Sequence, residues 1–318
     1  MWILWVAAVT VAVLVVAVLI GAYVCYKKTF YSPDRQPRQD DSVELPEGAP
    51  YEPYWDSMTA WALETRALPH EDLQIRSFDG LVLRGKYYEY APGAPIEIMF
   101  HGYRGTPERD LSGGVQRCFH EGRSCIMVTQ RGNGESQGNE ITFGIKERKD
   151  CLAWVALAVE KFGPDVKIIL TGMSMGAATV MMAAGEPLPP NVVGVLADCG
   201  YTTPGEIIRG VMGSMGLPAK LLYPFVQLGA LLYGGFRLEE TSPLKAMARC
   251  KVPVLFVHGD ADTYVPWEMS KRNYEACTAR KQLVVVAGAE HGLSSLTGHQ
   301  QYMTELRKFF GEELTYHK

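Results

Sequence analysis

Residues 168–178 read Ile-Ile-Leu-Thr-Gly-Met-Ser-Met-Gly-Ala-Ala (IILTGMSMGAA). A run of branched apolar residues stops at Gly172, Ser174 sits between two methionines, and Gly176, Ala177 and Ala178 follow. This is the pattern of a buried strand that ends in a sharp turn and starts a helix. Glycines on both sides of one serine serve a strained turn in which side chains at 172 and 176 would collide. Such a turn lifts the Ser174 hydroxyl clear of the strand end. It also sets the Met175 N–H at a helix N-terminus, where it faces a developing oxyanion. Alone, G-x-S-x-G is a weak signal, because a plain strand-to-helix turn uses the same small residues.

The rest of the chain adds weight. Period-two alternation over 73–78 and 81–90 flanks Asp79-Gly80, a hairpin signal. Apolar runs at 96–100, 124–129, 166–171, 192–197, 252–257 and 282–286 read as buried parallel strands. Helical patterns at 143–162, 175–184, 268–276 and 296–310 separate most of them. A further short helix is expected over 54–68, with Trp55, Met58 and Trp61 at helical spacing. Strand–helix alternation predicts an α/β architecture, a mostly parallel sheet with helices on both faces. Ligands in such sheets bind beyond the carboxyl ends of the strands. Two loops in that position carry chemistry. His258-Gly259-Asp260-Ala261-Asp262-Thr263-Tyr264-Val265-Pro266 follows one strand, and Glu290-His291-Gly292 follows the last. A serine nucleophile needs a base, and the base needs an orienting acid. Ser174, Asp262 and His291 fall in the order Ser…Asp…His that suits this architecture.

The N-terminus is a separate object. Trp2 to Tyr26 carries no charge and is nearly all Val, Ala, Leu and Ile. Its length suits a bilayer crossing of about 20 residues, and Trp2, Trp5, Tyr23 and Tyr26 mark its two ends. No Lys or Arg precedes the run, unlike a cleaved signal peptide, and Ala22-Tyr23-Val24 before Cys25 is a poor lipidation box. Residues 1–28 are therefore expected to be a single-pass anchor in the cell membrane. Lys27, Lys28, Arg35 and Arg38 follow it and, by the positive-inside tendency, place the C-terminal domain in the cytoplasm. Asp34, Asp40 and Asp41 weigh little in that rule. Seven cysteines without paired spacing suit a reducing compartment. Residues 29–53, rich in Pro, Asp, Arg, Gln and Glu, read as a polar linker. A single α/β domain is expected over 54–318. A net charge of -4 gives no nucleic-acid footprint.

With these residues in view, the chain resembles the α/β-hydrolase superfamily over residues 73–310. More narrowly it is similar to membrane-anchored Bem46-like and serine-aminopeptidase-like (S33-type) sequences. The markers are His101-Gly102-Tyr103, Gln130-Arg131-Gly132-Asn133-Gly134-Glu135-Ser136, Gly172-Met173-Ser174-Met175-Gly176, Asp198-Cys199-Gly200-Tyr201-Thr202, the HGDADTYVP segment and Glu290-His291-Gly292. The resemblance implies that Ser174 is the nucleophile and His291 the general base and then acid. It implies Asp262 as the orienting acid in preference to Asp260, with Asp198 as runner-up. The oxyanion hole it implies is the N–H of Met175 with that of Tyr103. His101 then supports its loop by hydrogen bonds, and Asn133 and Gln130 depart from the family's usual histidine and aspartate in a loop read as structural.

The resemblance implies cleavage of an acyl ester or thioester through an acyl-enzyme, with no metal and no organic cofactor. No Cys/His spacing resembles a zinc site, and no phosphate loop is visible. Esterase chemistry is favoured over peptidase chemistry. Residues 202–241 are apolar and methionine-bearing, and are expected to form a small helical lid that lines an acyl pocket. The expected partners are a small-molecule or lipid-like acyl substrate and the membrane. Other readings remain open: an S33-type peptidase, for which Glu206, Glu239 and Glu240 are candidates to hold a peptide amino terminus, an acyl transferase, or an idle hydrolase fold used as a binding module.

Overall fold

The computed structural model describes residues 1–33, 42–311 and 314. Arg35, Arg38, Asp34, Asp40 and Asp41 lie outside the described residues.

Eight strands form one sheet: β1 (Glu71–Arg76), β2 (Val82–Tyr88), β3 (Ile96–Phe100), β4 (Ser124–Val128), β5 (Ile168–Met173), β6 (Val192–Asp198), β7 (Val254–Gly259) and β8 (Lys281–Val286). Their spatial order is β1-β2-β4-β3-β5-β6-β7-β8. The β1–β2 hairpin turns at Asp79-Gly80 and meets β4 antiparallel, and every later pairing is parallel. β3, β4 and β7 are buried along their whole length, because helices cover both faces. This is why they read as unbroken apolar runs rather than as alternations.

On one face lie α4 (Glu147–Phe162), α5 (Met175–Ala184), α8 (Pro243–Met247) and α9 (Glu268–Ala276). They bury Trp154, Val180, Met181 and Met247 against Ile98, Phe100, Leu170 and Phe256. On the other face, α3 (Pro107–His120) packs Leu111, Val115 and Cys118 on Met99 and Met127. Beside it, α11 (His299–Phe310) packs Leu306 and Phe310 on Leu196 and Val257. The helix expected over 296–310 is in fact two, α10 (Ser294–Thr297) and α11, which meet at Gly298. There a Cβ would lie 2.5 Å from Val286 Cγ1. The pattern at 143–162 becomes helical only from Glu147, since Phe143 has φ 55° and Gly144 φ 86°.

Glu97 sits fully buried on β3. Arg117 Nη2 and Arg123 Nη1 donate to it at 2.7 Å each, and Thr171 Oγ1 at 2.8 Å. Burial works to raise its pKa, but the two guanidiniums outweigh it and hold the carboxyl at about 2. Removing the charge strands two buried cations, so Glu97→Gln should lose about 3–5 kcal/mol in a denaturant titration at neutral pH. A depressed pKa gives stability that is present above the unfolded value of about 4.3 and is lost as pH falls toward the folded value. The Gln variant should therefore show a flatter acid limb between those two pH values.

The N-terminal helix α1 (Trp2–Thr29) is long and apolar enough to cross a membrane, and its first nineteen residues are exposed. The residues just beyond α1 correct the expectation of a polar linker over 29–53. Phe30 is fully buried, with its ring edge-on to Phe236 and Phe143 at 5.2 and 5.9 Å. Ile141 N donates to Phe30 O at 2.8 Å, and Tyr31 bridges Glu140. Composition hid this, because a few aromatic residues among polar ones suffice to anchor a segment. Phe30→Ala should lower stability by about 3–5 kcal/mol, read from the denaturation midpoint of the full chain. An unchanged midpoint would return the segment to solvent.

Residues 42–54 are also tied down. Arg66 Nη2 donates to Ser42 O at 2.8 Å, Trp55 Nε1 to Pro46 O at 3.1 Å, and Arg109 Nη1 lies 3.6 Å from Glu44 Oε1. The segment crosses the domain as a strap and leads into α2 (Trp55–Ala67).

Candidate active site

Ser174 occupies the turn between β5 and α5 at φ 56° and ψ -115°, a region that residues with a side chain rarely adopt. The glycines around it are required by close approach. A Cβ on Gly172 would lie 2.2 Å from the Gly176 backbone, and one on Gly176 would lie 2.0 Å from Phe100 O. These obstacles are backbone and cannot swing away. Gly176→Ala should therefore cost about 3 kcal/mol by overpacking and should reduce Ser174 reactivity in the protein that still folds. The small residues of the opening stretch thus let α5 sit directly on the ends of β3 and β5.

His291 follows β8. Its Nε2 accepts from Ser174 Oγ at 3.0 Å, and its Nδ1–H donates to Asp262 Oδ2 at 2.7 Å. Asp262 lies in the loop after β7 and is fixed on both oxygens. Oδ1 accepts from the backbone N–H of Tyr264 and Val265 at 2.9 and 2.8 Å, while Oδ2 also accepts from His258 Nε2 at 3.1 Å. Burial pushes this carboxyl up, but hydrogen bonds from His258 and His291 and the His291 charge reverse the effect and hold it well below the usual carboxylate range. His258 is fully buried, with Nδ1 2.6 Å from Ser270 Oγ and Nε2 2.8 Å from Val265 O. It orients Asp262, a part that sequence reasoning left without a role, though its place four residues before the acid was a usable signal.

The two alternative acids sit elsewhere. Asp260 accepts from Gly288 N at 2.6 Å and braces a turn. Asp198 ends β6 and borders the pocket, yet its Oδ1 has no hydrogen-bond partner. Burial raises its pKa to about 6.

The loop after β3 approaches Ser174 closely. A Cβ on Gly102 would stand 3.6 Å from Ser174 Cβ. Asp110 Oδ2 accepts from Gly102 N at 2.9 Å, and Tyr103 stacks on Phe143 at 4.9 Å. The Tyr103 hydroxyl donates to Thr29 O at 2.8 Å, which ties this loop to the end of α1. Met175 is the first residue of α5, so its N–H belongs to the turn that lacks intrahelical acceptors. His101 is buried and has Nδ1 2.9 Å from Gly102 O, while its Nε2 accepts from Gln130 N at 3.1 Å. Burial lowers its pKa. Asn133 Nδ2 donates to Arg131 O at 2.9 Å, and Arg131 pairs with Asp150 and Asp79. These residues brace loops.

The serine opens on a cavity of about 450 Å³. Met58 and Trp61 of α2, Leu111 of α3, Met99, Leu296 and Met303 give it an apolar wall, and Tyr51 and Pro46 of the strap close one side. Tyr51 donates its hydroxyl to His291 O at 3.0 Å. Residues 202–241 contribute none of the lining, which corrects the expectation of an acyl-lining lid. Their helices α6 (Pro204–Ser214) and α7 (Ala219–Leu232) pack around Tyr26 and Phe30 instead. Glu206, Glu239 and Glu240 are occupied by Arg272, by Tyr223 with Gln227, and by Arg148, and none borders the pocket. The pocket wall was missed because α3 was not recognised. Thr106 capping Arg109 N at 3.2 Å, Pro107 at the first turn, and Leu111, Val115 and Cys118 on one face were its signals.

Cys199, Asp262 and His291 bring three potential ligand atoms within 4.8 Å of one another. Both His291 nitrogens and both Asp262 oxygens are already committed to the hydrogen bonds above. Cys118, Cys125, Cys151, Cys199, Cys250 and Cys277 are free and buried, and Cys25 is free and half-buried.

Known proteins share this architecture. An esterase of Pyrococcus furiosus, Pf2001, superposes with a TM-score of 0.61 at 20% identity, over 86% of this chain and 98% of its own. The chain has the α/β-hydrolase fold. The acylaminoacyl peptidase of Pyrococcus horikoshii superposes at a TM-score of 0.58 and 19% identity, over 80% of this chain and 44% of the peptidase. Residues 138–293 match the model of the family described as serine hydrolase (FSH1). The uncharacterized protein YqkD of Bacillus subtilis (strain 168) is 29% identical over 189 residues, 59% of this chain and 62% of YqkD. The family match and these neighbours together support a hydrolase.

Proposed function

We propose that this α/β-hydrolase is a membrane-anchored serine hydrolase that cleaves an acyl ester or thioester. The observation that carries the reading is the chain Ser174 Oγ–His291 Nε2–His291 Nδ1–Asp262 Oδ2, with contacts of 3.0 and 2.7 Å, at the mouth of a largely apolar cavity. Ser174 attacks the substrate carbonyl as His291 Nε2 takes its proton, and Asp262 stabilises the imidazolium that forms. The N–H groups of Met175 and Tyr103 receive the oxyanion. His291 then protonates the leaving group, leaving an acyl-Ser174 that a water, deprotonated by His291, releases as the acid. α1 supplies the membrane span, with the catalytic domain on the cytoplasmic side.

The test is labelling by a fluorescent fluorophosphonate, with turnover of esters and thioesters of graded chain length, in the full-length chain and in Ser174→Ala. Labelling and turnover that both vanish in the variant support the reading, and the chain-length optimum sizes the pocket. A folded native protein that neither labels nor turns over substrate would hand the lead to the idle binding module.

One observation favours a peptidase. The Asp198 carboxyl lines the pocket, and a carboxylate there would suit a substrate amino group. Aminoacyl-arylamides cleaved faster than acyl esters, with the advantage lost in Asp198→Asn, would decide for it.

A further inference from the structure

The segment over 202–241 turns away from the pocket and toward α1. At the crossing, Phe225 of α7 lies 3.0 Å from where a Cβ on Gly21 would be, and a Cβ on Gly229 would lie 2.5 Å from Ala22 O. Tyr233 donates its hydroxyl to Leu19 O at 3.1 Å and sets its ring edge-on to Tyr23 at 5.2 Å. Small residues at the crossing allow the backbones this approach, as they do between helices within membranes. α7 therefore sits beside α1 at the level of residues 19–26, the last turns of the apolar run.

The outer side of α7 is apolar as well. Leu221, Pro224, Leu231 and Leu232 are exposed, and their spacing puts them on one stripe. Val226 and Ala230 face inward, to Phe30 and Tyr201. The α6–α7 turn adds Met215 and Leu217, 68% and 40% exposed. Between Lys220 and Tyr233 the chain carries no charge. Fourteen helical residues reach only about 21 Å, too short to cross a hydrocarbon core of about 30 Å. They are long enough to lie in its surface. Contiguous apolar exposure of this kind marks an interaction surface, and this one is continuous with the exposed face of α1.

We infer that α7 and the α6–α7 turn are embedded in the surface of the same lipid bilayer that α1 crosses. The partner is the bilayer itself. Leu221, Leu231, Leu232, Met215 and Leu217 enter the acyl boundary, while Lys220, Lys27 and Lys28 reach the phosphate level. The domain is then held by two elements and cannot swing about its anchor. Because Thr29 O receives the Tyr103 hydroxyl, the loop beside Ser174 lies within one turn of the span's end. This inference rests on the reading of α1 as a membrane span.

An environment-sensitive fluorophore on single cysteines, in full-length protein reconstituted into vesicles, tests it. The background is Cys25→Ala, since the other six cysteines are buried. Sites are Leu14→Cys in the span, Leu221→Cys and Leu232→Cys on α7, and Gln74→Cys on the exposed edge of β1, each checked for folding by retained fluorophosphonate labelling. The expected result is blue-shifted emission quenched by doxyl-labelled lipid at 14, 221 and 232, with water-like emission at 74. Quenching at 14 but water-like emission at 221 and 232 would overturn the inference and leave the anchor intact. Emission at 221 and 232 that is shielded from iodide yet untouched by doxyl lipid, with disulfide cross-linking between copies at 232, would assign the face to a second copy and also overturn it. Water-like emission at 14 would sink the anchor reading and this inference with it.

Discussion

Ser174→Ala and His291→Ala should each lower ester turnover by about 10⁶-fold, and the double variant should be no worse than either single one. In the proposed mechanism the nucleophile and base act as one unit. Without His291 the hydroxyl keeps its proton, and without Ser174 the imidazole has nothing to activate. What survives is catalysis by the oxyanion donors and by substrate binding alone. Neither change removes a packing anchor, because Ser174 is a small residue at the N-terminus of α5 and the His291 ring faces the pocket. Circular dichroism and the denaturation midpoint should therefore move little while kcat collapses. Losses that multiply in the double variant would mean that the two side chains act separately, and the triad would have to be redrawn.

Asp262→Asn should lower kcat by about 10⁴-fold near neutral pH. The carboxylate accepts the Nδ1–H of His291, which leaves Nε2 as the acceptor facing Ser174. An amide at 262 can present its NH₂ to Nδ1 instead. That reverses the tautomer and turns Nε2–H toward the hydroxyl. The backbone donors at Tyr264 and Val265 would still hold the side-chain oxygen, so the loop should keep its shape. With its pKa held well below the ordinary value, Asp262 stays ionised through the working range and should set no limb of the pH–rate profile. Asp198→Asn is the contrast. That carboxyl makes no hydrogen bond to His291, so the tautomer survives and ester turnover should stay far above that of Asp262→Asn. The opposite ranking would make Asp198 the functional acid.

The strands were legible because each obeys a local rule. The runs at 96–100 and 192–197 lie in helix-covered strands, so burial on both faces wrote itself into unbroken apolar sequence. The turn at 172–176 was legible because glycine is forced there by backbone contacts within a few residues or against the adjacent strand. The pocket was not legible. Its walls come from α2, α3, α11 and the strap, which are distant in sequence and polar in average composition. The segment over 202–241 looked like a lid for a sound local reason, being apolar and helical, but apolarity does not name its partner.

The sequence by itself determined the α/β architecture, the order Ser174, Asp262, His291, and an N-terminal helix fit to cross a bilayer. Each of these follows from spacing along the chain, from period and turn chemistry to uninterrupted apolar length. Only the tertiary structure decided that Phe30 belongs to the core, that His258 braces the acid, that the strap closes the pocket, and that α7 packs on α1. Those facts depend on which surfaces meet across hundreds of residues. Burial and close packing settle that through the shape of the whole, and no local pattern records it.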